Sequence, residues 1–236
     1  MTHDAPFAEL EIEGTASPCS YLPGKTARMI YRIAYDLSET RYEQLLSRGW
    51  RRFGRTLFRP VCAACRECRS LRVRLPDFVP NKNQRRCLTR NAGLTLTIQQ
   101  PTVSDEHISL YNQYHLDMHH RRQWPCREIT KDHYCESFLE GHFEFAREFQ
   151  YRDNGRLIGL GLVDVTASAM SSIYFFLQSG ISRWRPGNIF NSERDRRWTH
   201  KRTLMALHGL LHPRLRFDEL QEPFSSSRDT AKLCRR

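Results

Sequence analysis

Four cysteines have the residue type and spacing of a metal site. Cys62, Cys65 and Cys68 are separated by two residues each, so a tight backbone turn can direct two or three thiolates at one ion, and Cys19 can add a fourth. Thiolates favour zinc or an iron-sulfur cluster over harder cations. The alternative is that these cysteines are reduced and only pack, because zinc sites usually contain two paired CxxC units.

Three histidines form a second candidate group. His115, His119 and His120 lie near the end of a predicted helix, where imidazoles serve in metal ligation or proton transfer, or simply form a polar helix face. The sequence has no P-loop, no GxSxG motif and no dinucleotide-binding glycine motif. Nucleotide hydrolysis and attack by an activated serine therefore have no support, and no catalytic residue is assigned.

Positive charge is concentrated in one block. The formal net charge is +11, and residues 51–90 contain twelve Lys and Arg against two acidic residues. Such a block attracts a polyanion through phosphate contacts and counterion release, so nucleic acid is the predicted partner. A solvated basic face and an anionic membrane surface are the alternatives. The candidate contacts are Arg51, Arg52, Arg59, Lys82, Arg85, Arg86 and Arg90.

Composition places these residues on a globular chain. With 236 residues and 39% hydrophobic side chains, the chain can bury a core. The first twenty residues have no apolar h-region, and no eighteen apolar residues are consecutive. Eight cysteines without a secretory signal argue against a disulfide framework. We therefore expect a cytoplasmic protein with no membrane span.

Regular elements must position the candidate residues. The first region contains a strand-like run, a helix with Ser38 as its N-cap and Gly49 at its end, and a basic tract that suits a helix. The second region begins near Leu94 with a strand and a helix, followed by an antiparallel meander with a hairpin turn at Asp153-Asn154-Gly155. The predicted ranges are strands over 26–35, 55–60, 71–75 and 170–176 and helices over 81–91 and 104–118.

Three ordered motifs carry a family resemblance. They are CSYLPG at 19–24, GWRRFGRTLFRPVCAACRECRSLRV at 49–73 and FVPNKNQRRCLTRN at 78–91. Together they resemble the N-terminal region of bacterial aminoacyl-tRNA-protein transferases, and the strands GRLIGLGLVDV and SSIYFF resemble the start of the family's acetyltransferase-like domain. The length and pattern are most similar to the family's leucyltransferases.

The resemblance implies a fold and an activity. The fold is α+β, with a small cysteine-containing basic domain over residues 1–93 and an acetyltransferase-like (GNAT) mixed domain over 94–236 that is incomplete at its C-terminus. The activity is transfer of leucine from leucyl-tRNA to proteins with N-terminal Asp or Glu, in the N-end rule degradation pathway. The alternative is a metal-dependent regulatory protein that binds tRNA or another nucleic acid without catalysis; it explains the charge and the cysteines but not the meander.

The resemblance also implies ligands. The seven basic candidates become contacts to tRNA, and Cys19, Cys62, Cys65 and Cys68 are counterparts of cysteines that bind an iron-sulfur cluster in related transferases. Starting at Cys19, this chain reads CSYL, where those relatives have a second cysteine.

The last sixty residues depart from the family pattern. The family's later motifs are missing after Phe176, yet they can be recovered by a shift of one nucleotide: codons for residues 206–212 can be read as Leu-Tyr-Met-Gly-Tyr-Tyr. Two further family motifs can be recovered by a shift in the same direction. The hypothesis is a one-nucleotide insertion in the gene, or an error in its sequencing, near the codons for Phe176 and Leu177.

Overall fold

Two antiparallel four-stranded sheets form the frame of the computed structural model, which describes residues 9–68, 79 and 81–178. In the first sheet the strand order is β1 (Glu9–Glu13), β4 (Met29–Ala34), β6 (Thr56–Pro60) and β5 (Arg51–Phe53). In the second it is β10 (Met170–Leu177), β9 (Arg156–Val165), β8 (Ala146–Asp153) and β7 (Thr95–Gln99). Two short strands, β2 (Ser17–Pro18) and β3 (Thr26–Ala27), form a separate pair. The predicted α+β class is confirmed.

Helices begin where short polar side chains cap them. The Ser38 side chain accepts from the Arg41 amide at 3.2 Å, and Ser104 accepts from the His107 amide at 3.2 Å. No helix in the described ranges is long and apolar enough to cross a membrane. The helices are α1 (Glu39–Ser47), α2 (Lys82–Arg90), α3 (Asp105–Arg122) and α4 (Lys131–Tyr134), the last continuing into a π-helical turn over Cys135–Leu139.

Most of the predicted elements are present. The hairpin between β8 and β9 turns at Asn154 and Gly155, which both have positive φ, as a two-residue type I′ turn requires. Helix α3 extends beyond Met118 to Arg122, because its last turn is basic rather than apolar and basic side chains stabilise a helix C-terminus. The strand predicted over residues 71–75 lies outside the described residues.

The second sheet is buried on both faces. Leu157, Leu160 and Leu162 of β9 point toward α3 and α4, where they pack with Leu110, Phe138 and other apolar side chains. Ile158 and Val163, on the opposite face of the strand, pack with Phe149 and Met170. Strand β9 is therefore the centre of this half of the molecule.

The core beside the first sheet is completed by the second half of the chain. Tyr42, Leu45, Trp50 and Leu57 are buried together with Phe143 and Phe145, which precede β8. The Tyr42 and Phe145 rings are stacked with their centroids 4.7 Å apart. The two sheets thus share apolar contacts across the predicted boundary at residue 93.

A buried ion pair joins the two sheets. The Arg52 guanidinium, on β5, donates to both Asp164 carboxylate oxygens, with Nε 2.9 Å from Oδ2, and also to the Gly54 carbonyl at 2.6 Å. Arg52 is 4% exposed and Asp164 1%. The guanidinium also lies over the Phe143 ring, 5.1 Å from its centroid. Burial alone would lower the pKa of Arg52, but the Asp164 carboxylate raises it, so the guanidinium stays charged.

Helix α1 adds a second polar connection between the halves. The Glu43 carboxylate accepts from the Thr166 hydroxyl at 2.5 Å and from the Ser168 amide at 3.0 Å, and Glu39 accepts from the Ala167 amide. Burial opposes ionisation of Glu43, yet these hydrogen bonds lower its pKa. The turn between β9 and β10 is thereby held against α1.

We expect Asp164→Ala to lower the free energy of unfolding by about 3 to 5 kcal/mol, because it leaves the Arg52 charge buried without its partner. Urea unfolding followed by circular dichroism measures this change. The double variant Arg52→Met/Asp164→Leu should recover much of the loss, since neither charge then stays buried.

The matched control is the exposed pair between Arg28 and Glu13, whose nitrogen and oxygen are 2.7 Å apart. Glu13→Gln should change the free energy of unfolding by less than about 1 kcal/mol. Equal losses for Asp164→Ala and Glu13→Gln would show that the buried pair does not connect the sheets.

Candidate functional site

Helix α2 presents a stripe of exposed positive charge. Lys82, Arg86 and Arg90 are spaced four residues apart and therefore lie on one face of the helix, with Arg85 beside them. All four side chains are exposed. Flexible cations spaced along a helix contact phosphates without reading bases. The stripe is exposed as a polyanion contact requires, and the contact itself stays a prediction.

The three predicted contacts on the first sheet behave differently. Arg52 is a correction: its guanidinium is buried against Asp164, so it is not available to a phosphate. Arg51 is half-buried and donates to the Trp50 carbonyl at 2.7 Å. Arg59 is also half-buried, with its guanidinium 5.2 Å from the centroid of the Trp50 ring. Sequence reasoning could not separate these three arginines from the exposed ones, because charge composition does not report burial.

The four cysteines of the candidate metal site lie near one another. Cys19 follows β2 and donates its amide to the Lys25 carbonyl at 2.8 Å, while the Cys62 thiol lies 3.4 Å from the Arg28 amide. Burial raises the pKa of the Cys68 thiol, and the nearby groups of Cys62, Cys19, Cys65 and Glu67 raise it further. The four thiols are therefore electrostatic neighbours.

These thiols are not arranged as a closed ligand set. Among the described residues, no three or more His, Cys, Asp or Glu side chains form a group that could hold a metal ion. The donor set suits a soft metal. The metal site stays a prediction.

A cluster of half-buried rings lies where α3 meets the edge of the second sheet. His115 Nε2 is 2.8 Å from the Tyr174 hydroxyl, and the Tyr111 ring stacks on His115 with centroids 4.2 Å apart. Burial lowers the pKa of His115, so the ring favours its neutral form. We call this set the ring cluster; its members are Tyr111, Tyr114, His115, Trp124 and Tyr174.

The backbone after α3 places the indole of the ring cluster. Gln123 ends the helix in the left-handed region with φ 56°, so the chain reverses and returns Trp124 to the helix. The Trp124 carbonyl lies 2.7 Å from His119 Nδ1, and its ring centroid is 6.1 Å from that of His115. Sequence analysis singled out His115 and His119 but missed Trp124, because a left-handed Gln gives no clear signal.

Comparisons with known proteins identify the family of this chain. The family model described as the N terminus of arginine-tRNA-protein transferase matches residues 17–86, and the model of its C terminus matches residues 106–204. An aspartate/glutamate leucyltransferase of Campylobacter jejuni (strain 81116) is 31% identical over 171 residues, which cover 72% of each chain. The chain belongs to this family of aminoacyl-tRNA-protein transferases. The transferase N-terminal match includes all four candidate cysteines and the start of α2.

Other relatives of this transferase carry the same name. The aspartate/glutamate leucyltransferase of Helicobacter hepaticus is 36% identical over 158 residues, 67% of this chain and 66% of the relative. That of Halorhodospira halophila is 34% identical over 175 residues, 72% of each chain. The C-terminal family match runs past Phe176 to residue 204, further than the expected departure. Residues 179–236 lie outside the described part, and the frame hypothesis stays a prediction.

Metal content tests the cysteine prediction. Protein purified without oxygen should contain zinc or absorb visible light as an iron-sulfur cluster, and Cys68→Ser should remove most of that metal because thiolates are its ligands. Elemental analysis and absorbance spectra measure both outcomes. The control is Cys126→Ser, an exposed cysteine outside the group. Metal-free wild-type protein, or equal loss in both variants, would contradict the site.

Proposed function

We propose that the protein transfers leucine from leucyl-tRNA to the N-terminus of proteins that begin with Asp or Glu, marking them for degradation by the N-end rule pathway. The observation that supports this proposal most strongly is the match to aspartate/glutamate leucyltransferases over 67–72% of the chain. The exposed stripe on α2 supports it, because such a substrate is a large polyanion. Since leucyl-tRNA is used in translation, we infer a cytoplasmic location.

The reaction is an acyl transfer from an ester to an amine. The free α-amine of the target attacks the carbonyl carbon of leucine, the bond between that carbon and the tRNA ribose oxygen breaks, and the proton lost by the amine is taken up by the leaving ribose oxygen. No covalent enzyme intermediate is needed. The main contribution of the protein is to hold ester and amine together, which raises their effective concentration.

The described residues divide this work between the two halves. The stripe on α2 holds backbone phosphates, and the shape of an RNA helix can be bound this way without reading its sequence. The buried contacts between the sheets hold the first half at a fixed position relative to β9 and β10. The first sheet is therefore held in one orientation relative to the second.

The direct test is transfer of radiolabelled leucine from leucyl-tRNA to a protein beginning with Asp. A version with the reading frame restored after Phe176 should incorporate leucine, and this chain should incorporate less if its last sixty residues are shifted. Controls are a target beginning with Ala and a reaction with arginyl-tRNA. Incorporation from arginyl-tRNA alone would overturn the leucine assignment, and incorporation in neither version would overturn the transferase proposal.

A binding experiment tests the stripe on α2. We expect Arg86→Gln to bind tRNA more weakly and to reduce the steepness of the fall of log affinity with log salt by about one, for the one lost phosphate contact. Fluorescence anisotropy over a salt series measures both quantities. Arg156→Gln, an exposed arginine at the start of β9, is the matched control and should leave the slope unchanged. Equal effects from both variants would assign RNA binding to net charge alone.

A further inference from the structure

The ring cluster is built differently from the cores beneath it. Phe176 is fully buried and Phe138 is 8% exposed, whereas Tyr174, His115 and Trp124 are each only half-buried. Large rings left partly open to solvent at one place are typical of a binding surface. The cluster thus has ring surface available to a ligand.

Contacts on several sides fix the orientation of these rings. The hydrogen bond between His115 and Tyr174 links α3 to β10, and Tyr111 stacks on the imidazole. Phe53, which is 36% exposed on β5, contacts the Tyr174 ring edge-on with centroids 6.3 Å apart. The cluster therefore adjoins both sheets, and it loses little conformational freedom when a ligand binds.

Positive charge borders the rings. The last turn of α3 contains four exposed basic or imidazole side chains. One of them, Arg121, forms an ion pair with Asp117, with nitrogen and oxygen 2.9 Å apart. The four are His119, His120, Arg121 and Arg122. Open rings beside cationic side chains match the chemistry of an unpaired nucleic-acid strand, whose bases stack while its phosphates face the charges.

We propose that the ring cluster binds the unpaired nucleotides at the 3′ end of tRNA. This inference rests on the proposed function, because the amino acid of an aminoacyl-tRNA is esterified to the ribose of its last, unpaired nucleotide. Bases within the double-stranded stem are already stacked and cannot use the rings, so the cluster contributes only to the single-stranded end. The stripe on α2 holds the backbone elsewhere on the same molecule.

Two RNAs test the proposal on the full chain by fluorescence anisotropy. One is intact, uncharged leucine tRNA, and the other is the same tRNA without its last three nucleotides. Because each base that stacks on an aromatic ring adds to the affinity, the truncated tRNA should bind at least about tenfold more weakly. In Trp124→Leu this difference should fall to about twofold, while affinity for the truncated tRNA stays at the wild-type value.

The matched control is Tyr35→Leu, which removes an aromatic ring that is 63% exposed outside the ring cluster. It should keep the full difference between the two RNAs. Equal wild-type affinity for both RNAs, or an equal loss for both in Trp124→Leu, would overturn the ring-cluster proposal and leave the proposed function intact. Absence of binding to either RNA would overturn both.

Discussion

The buried pair between Arg52 and Asp164 is the constraint on which the arrangement of the molecule depends. Two opposite charges that are almost completely removed from water must stay in contact, because separating them would leave each charge without solvation. The pair therefore fixes β5 against β9. Phe53 of β5 reaches Tyr174 on the neighbouring strand as a consequence. The position of the ring cluster relative to the first sheet follows from this pair together with the apolar core that the two halves share.

Local signals made much of the fold predictable from the sequence. Ser38 and Ser104 cap helices as expected because a short side-chain oxygen satisfies a free backbone amide wherever it precedes a helix. Asn154 and Gly155 form the predicted hairpin turn because few other residue pairs tolerate positive φ. These signals lie within a few residues of the structure they determine, so a single sequence suffices to read them.

The candidate site was less predictable because its contacts are distant in sequence. Arg52 belongs to the same basic block as the exposed arginines, and its partner Asp164 is 112 residues away. The ring cluster likewise brings residues of α3 together with Tyr174 of β10. No residue type near Trp124 predicts that the chain reverses its direction there. The basic helix α2 could be predicted from the sequence because its charged side chains are exposed and do not depend on distant partners to form a positive surface.

The shared core has a consequence for how a ribosome produces this protein. Tyr42 and Trp50 leave the ribosome long before Phe143, Phe145 and Asp164, which complete their surroundings. Until then the nascent chain carries an uncovered apolar surface and an arginine without its counter-ion, both of which expose an incomplete chain to aggregation. The first half therefore cannot complete its native packing until β9, which begins at Arg156, has been synthesised.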